Sequence, residues 1–130
     1  IRFDCSMTIE RHLLNDKGLY NGESRNVLND ADQIPLTYEL FNEDALVFKD
    51  IPSKQVWIQH KNGGKRLQVD YEGFPHLGIW SKPGADYVCI EPWIGCADNH
   101  DSEADFFCKD NIVLLESEEN VRANFTIALL

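Results

Sequence analysis

Positive charge is scarce in this chain. Its 130 residues hold 12 Lys and Arg against 22 Asp and Glu, a formal charge of −10. A phosphate backbone needs a Lys/Arg footprint, so nucleic acid is excluded as a partner, and an anionic membrane surface is disfavoured on the same ground. No apolar run approaches the length of a membrane span, and no secretion signal is read. The four cysteines, Cys5, Cys89, Cys96 and Cys108, form no C-x-x-C pair. In a chain of this size and apolarity they read as free thiols of a reducing compartment, which points to the cytoplasm. Cys96, His100 and Cys108 match no common zinc spacing, so no metal is expected, and no cofactor motif is present. Sustained helical periodicity, internal repeats and low-complexity tracts are absent too.

What is present is the punctuation of an all-β protein. Apolar residues make up 43% of the chain, enough for one domain with a real core spanning residues 1–130. Ile1–Arg11 alternates and meets a turn at Asn15-Asp16-Lys17-Gly18, and Asn21-Gly22 marks a second turn. Leu36–Phe41 and Ala45–Phe48 are apolar runs around Asn42-Glu43-Asp44. Gln55–His60 and Arg66–Tyr71 flank Asn62-Gly63-Gly64, the strongest hairpin signal here. Another hairpin follows over Leu77–Glu91, then an acidic stretch from Ala97 to Asp105. Ile112–Leu115 and Val121–Leu129 close the chain. The expected fold is mainly β, an antiparallel β-sandwich.

Glu91 carries the functional argument. It ends an apolar strand beside Pro92 and Trp93, an unusual place for a charge and a setting in which a carboxylate can be tuned for proton transfer. Strand parity puts Leu77 and Ile79 on one face of the hairpin, with His76, Gly78 and Trp80 on the other. In the second arm Val88 and Ile90 share a face, and Tyr87, Cys89, Glu91 and Trp93 share the other. A tight link at Pro83-Gly84 would set Trp80 opposite Tyr87, Gly78 opposite Cys89 and His76 opposite Glu91. One face is then aliphatic core. The other holds rings, a His, a carboxylate and a gap at Gly78, which suits a flat polar ligand such as a sugar.

These residues resemble a family. The stretches IRFD, TIERHLL, LFNEDALVFKDIPSKQVWI, GFPHLGIWSKPGADYVCIEPWIGCAD and Lys109-Asp110-Asn111-Ile112 are similar, in order, to the C-terminal half of the aldose 1-epimerases, the galactose mutarotase-like proteins. The resemblance implies part of a larger β-supersandwich that interconverts the α and β anomers of an aldohexose, without a cofactor. It implies Glu91 as the general base and Asp44 as a residue that hydrogen-bonds sugar hydroxyls; the parity reading adds His76, Trp80 and Trp93 as residues lining the site. The chain departs from the family in three places. The His-Pro motif of the acidic His is missing, as are the N-terminal Arg and His that hold the sugar. A Gln of many members stands here as Gly78, with Trp80 as a substitute contact. The acid is therefore expected to lie outside this chain, since a His76 in direct contact with Glu91 would pair with it rather than straddle a ring. Two other classes stay open: a non-catalytic sugar-binding β-domain, and an acidic structural domain. Half a sandwich should also expose sheet edges and self-associate.

Overall fold

The computed structural model describes residues 1–102 and 105–130. Residues 103 and 104, within the expected acidic stretch, lie outside the described residues. Among the described residues eight strands form: β1 (Arg2–Leu14), β2 (Tyr20–Gln33), β3 (Leu46–Phe48), β4 (Gln55–Gln59), β5 (Lys65–Asp70), β6 (His76–Trp80), β7 (Cys89–Trp93) and β8 (Thr126–Leu129). The helical content of the described residues is two 3-10 turns, Tyr38–Phe41 and Phe106–Cys108. The strands make a five-stranded sheet in the order β2-β1-β4-β5-β8 and a three-stranded sheet in the order β3-β6-β7. All the pairings within these sheets are antiparallel.

The alternation read in the N-terminal segment explains how the layers meet. Phe3, Met7 and Ile9 of β1 are buried, joined by Val56 of β4 and Val69 of β5. They pack with Leu46, Phe48, Leu77 and Ile79 of the smaller sheet in one core cluster. Phe3 and Phe48 meet edge to face across the layers, ring centroids 6.3 Å apart at 86°. Such a pair contributes about 0.5–1.5 kcal/mol beyond its buried area. The architecture is the expected mainly β sandwich.

Local departures have local causes. Asn15–Gly18 turns as expected, Gly18 N–H donating to the Asn15 carbonyl at 3.0 Å. Asn21-Gly22 does not turn: it lies inside β2, where His12 pairs with Ser24 but Leu14 pairs with Tyr20. The extra residues form a bulge, and Gly22 supplies its φ of +85°. Leu36–Phe41 is a loop ending in a 3-10 turn, and Ile112–Leu115 forms no strand. Asn62-Gly63-Gly64 joins β4 to β5 as expected, with Gly63 and Gly64 both at positive φ.

The hairpin of β6 and β7 differs in register. His76 pairs with Trp93, Gly78 with Glu91 and Trp80 with Cys89. Each partner is two residues later than expected, because Pro83-Gly84 is not a tight link: residues 81–88 form the connection. A shift of two preserves parity. The faces read from the sequence are therefore the observed faces, although their cross-strand partners are not.

Candidate active-site face of the small sheet

The three-stranded sheet has two unlike faces. Leu46, Ile79 and Ile90 lie in one row across it and belong to the core or pack against it. The next row, Val47–Gly78–Glu91, points the other way, together with His76, Trp80, Cys89 and Trp93. Glu91 is half-buried there, and its carboxylate has no hydrogen-bond or ion-pair partner among the described residues. A lone carboxylate on a partly apolar face is free to meet a ligand proton.

Gly78 is explained by Trp93, not by a gap. A Cβ at Gly78 would lie 2.6 Å from Trp93 Cζ2 and 3.0 Å from both Cε2 and Cη2. The expected opening for a ligand is thus filled by the protein's own indole, which lies over the backbone of β6. Space remains beside that ring. A cavity of about 340 Å³ is lined by Trp93, Val47, Tyr20, Leu14, Cys96 and neighbouring backbone. Trp80, at the other end of β6, meets Tyr87 edge-on at 6.2 Å, so these two rings touch although they are not strand partners. A second cavity of about 410 Å³ opens nearby between Tyr38, Phe41, Ser81, Asp86 and Tyr87.

His76 is on the expected face but is sealed within it, at 0% exposure. The backbone N–H of Asp50 donates to Nδ1 at 3.1 Å, so that nitrogen carries no proton. The neutral ring then holds its proton on Nε2, 2.9 Å from the side-chain amide of Asn111. The pair is satisfied with the amide oxygen turned toward the ring. Burial lowers the pKa of His76, with Asp50 opposing and Lys49 assisting. His76 braces the Asp50 turn and the Asn111 loop against β6, and it pairs across the strands with Trp93, not with Glu91.

Asp44 sits in the left-handed region at φ +71°, and its Oδ1 accepts from the Ala45 N–H at 2.8 Å. Its position is held from below by Arg11. Arg11 Nη2 donates to the carbonyl oxygens of Glu43, of Asp44 at 3.1 Å and of Ala45 at 3.0 Å. Charge-assisted bonds of this kind are the strong ones. Arg11 was legible in principle: it is a charge at a core-facing position of β1, between buried Ile9 and Leu13.

Tyr20 carries no comparable sign in the sequence. It is 3% exposed, and its hydroxyl makes no hydrogen bond of ordinary geometry among the described residues. Burial pushes its phenol pKa up, with the neighbouring Cys96 thiol adding to the effect. Its ring is met edge-on by His12, with centroids 5.7 Å apart, and Lys49 Nζ lies over its face at 5.1 Å from the centroid. Burial, and then Lys49, lowers the pKa of His12. His60 Nδ1 accepts from the Asn62 N–H at 3.2 Å in the turn between β4 and β5, and His100 Nδ1 donates to the Tyr20 carbonyl at 3.2 Å. None of the four histidines is bonded to Glu91. Among the described residues no group of His, Cys, Asp and Glu could hold a metal, and no helix is long and apolar enough to cross a membrane.

A galactose mutarotase related enzyme from Lactobacillus acidophilus superposes on 99% of the chain with a TM-score of 0.84 and 28% sequence identity. The chain resembles part of a galactose mutarotase-like protein. It covers 44% of that mutarotase-related structure. A galactose mutarotase-like protein from Lactobacillus casei shares the fold, with a TM-score of 0.76 over 97% of the chain at 17% identity, the chain covering 42% of it. The plasmid and chromosomal forms of protein LacX from Lactococcus lactis are 33% identical over 69 residues. That match spans 52% of this chain and 23% of each LacX protein. No protein-family model matches. The chain therefore spans less than half the length of the mutarotase-like proteins it matches.

Proposed function

We propose that this chain is the base-bearing, C-terminal part of an aldose 1-epimerase-like protein that interconverts the α and β anomers of an aldohexose. The similarity to galactose mutarotase-like proteins supports a carbohydrate-related function in general. The observation that carries the finer reading is the unpartnered Glu91 carboxylate on the same face as Trp80 and Trp93. In the proposed reaction Glu91 takes the proton of the anomeric hydroxyl. The O1 electron pair forms the aldehyde as the C1–O5 bond breaks, and O5 receives a proton from a general acid. Rotation about C1–C2 and reclosure, with the protons returned, gives the other anomer. Trp80 and Trp93 offer ring faces to the C–H side of the sugar. Asp44, with Oδ1 occupied by its neighbour's N–H, offers Oδ2 to a hydroxyl.

The acid is assigned outside residues 1–130, because His76 is sealed with both ring nitrogens engaged. His76 is then a positioning residue, not a sugar ligand. That same observation favours a second reading, a sugar-binding β-domain without proton transfer. Polarimetry on freshly dissolved α-D-galactose and α-D-glucose separates the two. The chain alone should follow the buffer blank. Combined with the segment of the Lactobacillus acidophilus relative that it does not match, it should exceed the blank, and Glu91→Gln should abolish the excess. A Glu91→Gln complex with an undiminished rate would remove Glu91 from the mechanism. Saturable sugar binding with no exchange in the complex would favour the second reading.

A further inference from the structure

The inner face of the five-stranded sheet is wider than the layer that covers it. In an antiparallel ladder, residues directly opposite each other point the same way. Ile127 of β8 pairs with Val69 of β5, and Leu129 pairs with Leu67. Val69 is a buried member of the core and Leu67 packs against it. Ile127 and Leu129 therefore point to the core side, yet they are 57% and 84% exposed. Phe125, same-sided by parity, touches Phe74 edge-on at 6.5 Å and is otherwise also exposed. Leu114, Leu115 and Val121 leave further apolar surface on the preceding segment.

The width deficit agrees with this. Five strands oppose three, and at about 4.8 Å per strand the second layer is short by about 10 Å, or two strands. An apolar face of this size on the inner side of a sandwich is a seam rather than a surface.

We propose that the inner face of β8, with Phe125, Ile127 and Leu129, is the docking seam for the remainder of a mutarotase-like sandwich, a β-rich segment that completes the second layer. This chain covers 44% of the similar Lactobacillus acidophilus structure, so a fold of that kind holds ample further chain to fill the seam. A second copy of this chain is a poor occupant. It would bring another charge of −10, and Glu116, Glu118 and Glu119, all exposed, lie on the segment that leads into β8. Like charges across a rim oppose association. A complementary segment with Lys or Arg at its rim meets no such penalty.

The test is co-expression of the chain with the tagged segment of the Lactobacillus acidophilus relative that it does not match, followed by light scattering on the purified species. A 1:1 complex is expected. Ile127→Asp and Leu129→Asp should each weaken it at least about tenfold, as truncated hot spots do, while Thr126→Lys on the opposite face of β8 should leave it unchanged. Far-UV melts of the free Leu129→Asp chain should match the parent, because the side chain is solvated there. Absence of a complex overturns the proposal, as does a complex indifferent to both Asp substitutions. A homodimer of the chain that Leu129→Asp dissolves would make a second copy the occupant instead. The readout is assembly and not anomer exchange, so a 1:1 complex without catalysis would leave this seam standing while the enzymatic reading failed.

Discussion

Replacing Gly78 by Ala should move Trp93. The added Cβ would sit 2.6 Å from Cζ2 and 3.0 Å from two further ring carbons, where carbon atoms prefer about 3.5–4.0 Å. The indole is rigid and must tilt away from β6 by roughly 1 Å, since the backbone of a central strand cannot easily retreat. Overpacking of this sort costs about 1–3 kcal/mol. Removing a strand-interior glycine returns about 0.5–1 kcal/mol of backbone entropy. A net loss of about 1–2 kcal/mol follows, or a fall in Tm of about 3–8 °C for a domain of this size. Thermal melts by far-UV circular dichroism measure it, with the Trp93 indole N–H resonance reporting the tilt. The cause can be isolated with a double-mutant cycle. In a Trp93→Leu background the clash is gone, so Gly78→Ala should become neutral or stabilising, with a coupling of about 1 kcal/mol or more. An equal cost in both backgrounds would refute the claim that Gly78 exists to seat Trp93.

Further outcomes follow from the same contacts. Arg11→Met leaves the carbonyls of residues 43–45 without their donor, and should cost about 2–3 kcal/mol. Limited proteolysis should then cut that turn faster; unchanged melts and cleavage would show the Arg11 bonds to be idle. Tyr20→Phe removes a buried hydroxyl that makes no hydrogen bond of ordinary geometry among the described residues, so Tm should hold or rise by the equivalent of about 1 kcal/mol. A clear fall would mean that the hydroxyl is bonded after all. His12 and His76 have pKa values lowered by burial, against about 6.5 in the unfolded chain. Below 6.5 and down to the folded values the unfolded state binds more protons, so stability is full above that window and is lost as pH falls through it. Urea midpoints at successive pH values should show this slope, and His76→Asn should make it shallower; an identical slope would assign it to other groups.

Much of the fold was legible because alternation has a period of two and survives errors of register. The faces of β6 and β7 were readable even though the partners slipped by two residues, since the length of the connection over residues 81–88 depends on how Tyr87 and Val88 pack and not on Pro83-Gly84 alone. Asn21-Gly22 misled for a related reason: a glycine at positive φ serves a bulge as well as a turn, and only the long-range pairing of β1 with β2 decides which. The candidate site divided along the same line. Glu91, Trp80 and Trp93 stand where parity put them. The filling of the Gly78 gap by Trp93 is a contact across the β6–β7 hairpin, and the sealing of His76 by Asp50 and Asn111 and the Arg11 cage under Asp44 are contacts across 26 to 35 residues of sequence, none of which a local pattern encodes. An Arg among core-facing positions of β1 was the one available sign.

The proposed function requires the Glu91 face of the small sheet to receive a sugar. The chain carries its own control for it. Of its three tryptophans, Trp80 and Trp93 share that face, whereas Trp57 lies on β4 of the other sheet, its Nε1 donating to Gln68 at 2.7 Å. Titrating D-galactose into ¹⁵N-labelled chain while following the three indole N–H resonances is the direct measurement. Saturable shifts of Trp80 and Trp93, with Trp57 unmoved, are expected. Shifts confined to Trp57, or no shift of any indole at saturating sugar, would contradict it.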